Sequence, residues 1–129
     1  MLLRALMGSI AIAAVTTSAV AQMSSHWQFC TGNPGIDWDT QIKSCTTLIQ
    51  SGTELKENEA IAFYNRALAY ENKDDYARAV ADYDEALRLN PNDADALLYR
   101  GIDKQRLGDK AGGEADVAAA RRMNPNIGK

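Results

Sequence analysis

Ala60–Asp93, AIAFYNRALAYENKDDYARAVADYDEALRLNPND, is followed without a gap by Ala94–Ile127, ADALLYRGIDKQRLGDKAGGEADVAAARRMNPNI. The two stretches are one 34-residue unit written twice, and they agree at 12 of 34 positions. The agreements include Ala60/Ala94, Arg66/Arg100, Asp75/Asp109, Ala86/Ala120 and the runs Asn90-Pro91-Asn92 and Asn124-Pro125-Asn126. A period of this length marks a stacked helical repeat. Each unit is a supersecondary element that cannot bury its apolar face alone and buries it against its neighbour. The expected fold class is all-α.

Each unit reads as a helical hairpin. Ala60 to Asn72 places Phe63, Ala67 and Tyr70 on one face, and Lys73-Asp74-Asp75 is the turn. Tyr76 to Leu89 turns Ala79, Tyr83 and Ala86 inward, and Asn90-Pro91-Asn92 ends the hairpin because proline cannot continue a helix. Small residues let the two helices approach, and the larger rings fill the adjacent space. The second unit repeats the plan, with Leu97, Gly101 and Lys104 on Ala94–Leu107 and Gly113, Val117 and Ala120 on Ala111–Met123. Its fillers are poorer. Each glycine of Gly112-Gly113 costs up to ~1 kcal/mol relative to alanine inside a helix. Lys104 is expected to bury its stem while its amine stays in water.

Both units resemble the tetratricopeptide repeat. Phe63, Ala67, Tyr70, Ala79, Tyr83, Ala86 and Pro91 fall on its signature slots, and Arg66 stands where the family most often has leucine. The resemblance is clear over residues 60–93 and 94–127. A leading helix over residues 37–52 resembles the second helix of a degenerate earlier unit. The chain as a whole is similar to short exported bacterial proteins of this type, with a Cys45-Thr46-Thr47-Leu48-Ile49 helix ahead of two repeats. The resemblance implies a helical-hairpin stack, a fragment of an α-solenoid, and a non-enzymatic protein–protein interaction module.

The first 21 residues carry one charge, Arg4, an apolar run from Leu6 to Val15, and small residues at Ala19-Val20-Ala21. This pattern is that of a signal peptide cleaved after Ala21, so the chain is expected to be exported, periplasmic or secreted. A membrane anchor is the alternative, but the run is about half the ~20 residues a span requires. Loss of Arg4 takes the formal charge from −3 to −4. An acidic chain without a basic stretch argues against nucleic acid or an anionic membrane as partner. Cys30 and Cys45 are an even pair in a chain bound for an oxidising compartment, so a disulfide is expected. The competing use, a metal held by His26, Cys30 and Cys45, falls short of the four ligands of a structural zinc. Residues 22–36 show no helical period and read as irregular. The leading helix then opens at Asp37 and carries Trp38, Ile42, Cys45 and Ile49 as one stripe. Thr53 to Asn58 reads as a polar connector.

No catalytic residues are expected. His26 has no nucleophile at a recognisable spacing, and no phosphate-binding glycine loop or metal-ligand pair is present. No cofactor is implied. Asp74, Asp75, Asp82, Asp84 and Glu85 read as a solvated face with capping turns. The resemblance implies instead a concave groove lined by the first helix of each unit. Its outward positions here are Ile61, Tyr64, Asn65 and Leu68, then Asp95, Leu98, Tyr99 and Ile102. Five of the eight, Ile61, Tyr64, Leu68, Leu98 and Ile102, form an apolar set of the kind that marks a contact site. The expected partner is another protein or a peptide. Two other occupants stay open: residues 22–36, with Trp27 and Phe29, folding back over the groove, or a second copy stacking through the C-terminal helix. Some family members clamp a carboxylate tail with cations in these slots. Tyr64, Leu68, Asp95 and Tyr99 occupy them here, so the clamp does not carry over.

Overall fold

The computed structural model describes residues 25–129, and the expected leader lies outside the described residues. Six helices follow in order: α1 over residues 25–30, α2 Trp38–Ser51, α3 Lys56–Asn72, α4 Tyr76–Leu89, α5 Ala94–Arg106 and α6 Lys110–Met123. α2 packs on α3, α3 on α4, α4 on α5 and α5 on α6, so the α5–α6 hairpin stacks on the α3–α4 hairpin, which stacks on α2. Among the described residues no helix is long and apolar enough to cross a membrane.

Four helix starts, those of α2, α4, α5 and α6, share one device, whereas Leu55 before α3 provides no side-chain cap. Asp37, Asp75, Asp93 and Asp109 accept the N–H of Thr40, Arg78, Ala96 and Gly112 at 2.9, 3.2, 3.0 and 2.9 Å. Each carboxylate satisfies a donor that the first turn leaves without a partner. The repeated Asn-Pro-Asn runs are also explained. Asn90 and Asn124 each turn the side-chain oxygen back to the N–H two residues on, at 3.3 and 3.2 Å, forming the same Asx turn at the same place in both units.

Two boundaries depart from the sequence reading. Residues 25–30 are helical rather than irregular. Six residues are too few to show a period, and long-range ties hold them. The Cys30–Cys45 disulfide pins the helix to α2, Trp27 Nε1 donates to Glu54 at 3.1 Å, and Gln41 Nε2 donates to the Cys30 carbonyl at 3.1 Å. Closing a 15-residue loop stabilises the fold by roughly 3 kcal/mol in the chain-entropy model. The second departure is α3, which starts at Lys56 and so absorbs part of the expected connector. Glu57 and Glu59 lie in its first turn, where the helix dipole favours negative charge.

The main core runs through both hairpins and includes Ala67, Ala79, Tyr83, Leu87, Ala96, Leu97, Ala120 and Ile127. A smaller cluster of Cys30, Cys45, Leu48 and Ala62, covered by Trp27, closes the N-terminal end. Trp27 is thereby committed to α2 and α3, at the end of the stack away from α6.

The identical arginines have a structural partner in each unit. Arg66 grips Asp82 through Nε and Nη2, both at 2.7 Å, and Arg100 grips Asp116 in the same way, both at 2.8 Å. These are two-point, charge-assisted bonds between the helices of a hairpin. Asp82 is therefore buried in an ion pair, a correction to its reading as part of a solvated face. Asp84, two residues on, stays half exposed and reaches forward to Arg100 of the next unit at 2.8 Å. Lys104 also departs from expectation. Its amine lies 2.9 Å from Asp116 rather than in water. Burial alone would raise the Asp116 pKa, but hydrogen bonds from Arg100 and Lys104 hold its carboxyl below the ordinary range.

Candidate protein-interaction surface

The eight expected groove residues part into two groups. Tyr64 and Tyr99 belong to the seam between the repeats. Tyr64 meets Tyr83 and Tyr99 edge-on with ring centroids 5.8 and 6.4 Å apart, and Tyr99 stacks on Tyr83 at 6.3 Å. Burial raises the Tyr64 pKa well above the ordinary phenol value, with nearby Tyr99 and Asp95 adding to the effect. Leu68 packs against the same core. The backbone carbonyl of Asn65 accepts from Gln41 Nε2 of α2 at 3.2 Å, while its side-chain amide donates to the Ile61 carbonyl one turn back at 3.0 Å.

The other four line clefts or the exposed start of α5, Leu98 and Ile102 being partly buried and Leu98 also touching the main core. Ile61 is 47% exposed and sits in a cleft of about 310 Å³ with Ala60, Leu89, Asn90 and Asp93, between the start of α3 and the α4–α5 turn. Asp95 is exposed on the first turn of α5. Leu98 and Ile102 line a larger groove of about 470 Å³ between α5 and α6. Val117 and Ala118 of α6 complete its apolar floor. Gln105, Glu114, Arg121 and Gly128 form the rim. The sequence reading named the α5 half of this groove and missed the α6 half. The signal lay in the repeat itself, since Val117 stands 34 residues after Tyr83, which packs against the next helix.

The hairpin that walls this groove is drawn tight by glycine. A methyl group added at Gly101 would stand 2.8 Å from the Gly113 carbonyl oxygen and 2.9 Å from Val117 Cγ2. Gly113 is thus a close crossing of α5 and α6 rather than a weak spot. Only residues without Cβ permit that approach.

At the seam of α5 with the first hairpin lies a buried acid. Asp103 is fully buried, and its Oδ2 has no hydrogen-bond partner. Burial raises its pKa to about 7, the nearby Glu71 carboxylate adds to the rise, and Arg106 opposes it. Arg106 Nη1 spans the pair at 3.3 Å from Glu71 and 3.5 Å from Asp103. Tyr83 donates its hydroxyl to Glu71 at 3.2 Å. The corresponding position in the first unit is Ala69, so neither composition nor period marked this acid as buried.

Residues 60–93 match the family model described as the tetratricopeptide repeat. A solved structure described as the second TPR of Spaghetti (RPAP3), bound to the HSP90 peptide SRMEEVD, has the same fold with a TM-score of 0.65. The match covers 84% of this chain and 94% of that one at 21% identity, which is a likeness of fold. No curated protein matches the chain. Residues 60–93 are thus a tetratricopeptide repeat by sequence, and the stack as a whole has the fold of a tetratricopeptide-repeat domain.

Proposed function

We propose that this chain is a non-enzymatic protein-binding module of the cell envelope, and that its partner docks on the outward side of α5. The observation that carries the reading is the apolar groove of Leu98, Ile102, Val117 and Ala118, left open by a stack that buries the corresponding face one repeat earlier. An open apolar surface with a polar rim is the usual mark of a protein contact. That a protein of the same fold holds a short peptide supports a protein or peptide as the partner class. The expected leader and the paired cysteines support an oxidising, exported location.

A groove on one unit offers a small contact area, so affinity is expected nearer micromolar than nanomolar. The SRMEEVD peptide itself is expected not to bind, because Tyr64, Leu68, Asp95 and Tyr99 provide no cation for its carboxylates. The test is capture from envelope extract with the mature chain and an Ile102→Asp, Ala118→Asp variant as paired baits. Loss of a retained protein, with helical circular dichroism unchanged, places the site in the groove. Identical capture by both baits removes the groove from the account.

A further inference from the structure

The repeat supplies its own template for what fits the open groove. Leu98, Val117 and Ala118 stand 34 residues after Tyr64, Tyr83 and Asp84. All three earlier residues touch α5: Tyr64 and Tyr83 through the ring of Tyr99, and Asp84 through Arg100. The face formed by α3 and α4 is thus covered by a helix, whereas among the described residues no helix covers the same face of α5 and α6.

The direction of the covering helix is also written in the first pair. Arg106, in the last turn of α5, lies over the ring of Tyr76, the first residue of α4, at 4.8 Å and contacts Glu71. The α5 helix therefore runs antiparallel to α4. Its first turn is acidic, with Asp95, and its last turn is basic, with Lys104 and Arg106. Shifted by one repeat, Glu71 becomes Gln105, Val80 becomes Glu114 and Leu87 becomes Arg121. The rim of the open groove thus carries an acid beside the first half of α6 and a cation beside its second half.

Resting on the groove as the binding surface, we infer that its occupant is an amphipathic helix of a partner protein, antiparallel to α6. Its acidic first turn lies at Arg121 and its basic last turn at Glu114. Ordinary helices favour that charge order, since acids suit the first turn and bases the last. An apolar stripe at helical spacing seats on Leu98, Ile102 and Val117.

The test uses the full mature chain and a fluorescent synthetic helix with the sequence of residues 93–107 carrying Asp103→Ala, which removes the buried acid. A second probe has its terminal charges exchanged. Fluorescence anisotropy is expected to show saturable binding of the first probe and weaker binding of the second. Ala118→Trp, at an exposed groove position, is expected to weaken the first probe at least about tenfold. A Glu114→Lys, Arg121→Glu chain is expected to reverse the preference between the two. Absence of binding by either probe to folded protein overturns the inference, and so does equal binding of both to the wild type. A concentration-dependent dimer that Ala118→Trp abolishes also overturns it, assigning the groove to a second copy. If extract capture still depends on Ile102 and Ala118 while neither probe binds, the groove reading stands and the helix inference falls. If capture is also indifferent, the groove reading falls with it.

Discussion

The two repeats have the same plan and differ in what fills it. Both have the aspartate cap, the Asx turn and the arginine–aspartate grip at equivalent positions. The first unit fills its hairpin with Ala67, Tyr70, Ala79 and Tyr83. The second has Gly101, Lys104, Gly113 and Val117 in those places. Among the described residues, helices pack on the first unit from both sides, α2 and α5, and on the second from one. The frame of a repeat is thus set by backbone devices common to both copies, whereas exposure depends on position in the stack. The last unit shows what the first one hides.

The arginine grips should show this difference most strongly. Removing Arg66 leaves Asp82 buried with no other ion-pair partner among the described residues. Arg66→Ala is expected to cost ~3–5 kcal/mol, the usual result of orphaning one member of a buried pair. Arg100→Ala should cost less, because Lys104 still holds Asp116. Chemical denaturation of the two variants checks the order. Equal losses would mean that Lys104 contributes nothing to the second grip.

The hairpin fillers come next. Alanine fits at position 79 and, by the same repeat frame, should be welcome at position 113. At Gly113 an added methyl would stand 2.5 Å from the Gly101 carbonyl oxygen. Gly113→Ala is therefore expected to destabilise, its overpacking cost of ~1–3 kcal/mol exceeding a helix-propensity gain of up to ~1 kcal/mol. A higher melting temperature for this variant would show that α5 and α6 are not in close contact there.

The buried acid gives an effect that depends on pH. Folding raises the Asp103 pKa from 3.8 to about 7, so the folded state binds the proton more tightly than the unfolded chain. Its contribution is fully present below about pH 4 and is lost as pH rises through 7. Asp103→Asn is expected to raise the melting temperature at pH 8 and to flatten its rise between pH 8 and pH 5. An unchanged pH profile would mean that the carboxyl is satisfied in solution.

These differences also explain what the sequence revealed and what it hid. The period, the aspartate caps and the Asn-Pro-Asn breaks are local devices, and a 34-residue comparison displays them directly. Leu98 and Ile102 were legible as outward apolar positions, and the structure places them, partly buried, along the α5–α6 groove. Tyr64 occupies the register of Leu98 one repeat earlier, and the sequence did not show that its ring packs into the seam with Tyr83 and Tyr99. Asp82 and Asp84 are two residues apart on one helix and face different neighbours, a distinction that helix rotation decides. Asp103 was invisible because its counterpart, Ala69, is an ordinary core residue. The short α1 was missed because its stability comes from a disulfide and two long-range hydrogen bonds rather than from its own residues.

The central claim is that α4 is covered and α6 is the open face of the stack. Amide hydrogen exchange on the mature chain tests this most directly, because protection follows the packing that local opening must break. Lys110–Met123 is expected to exchange faster than Tyr76–Leu89. Equal protection of the two helices would contradict the account, because α6 would then be as well covered as α4.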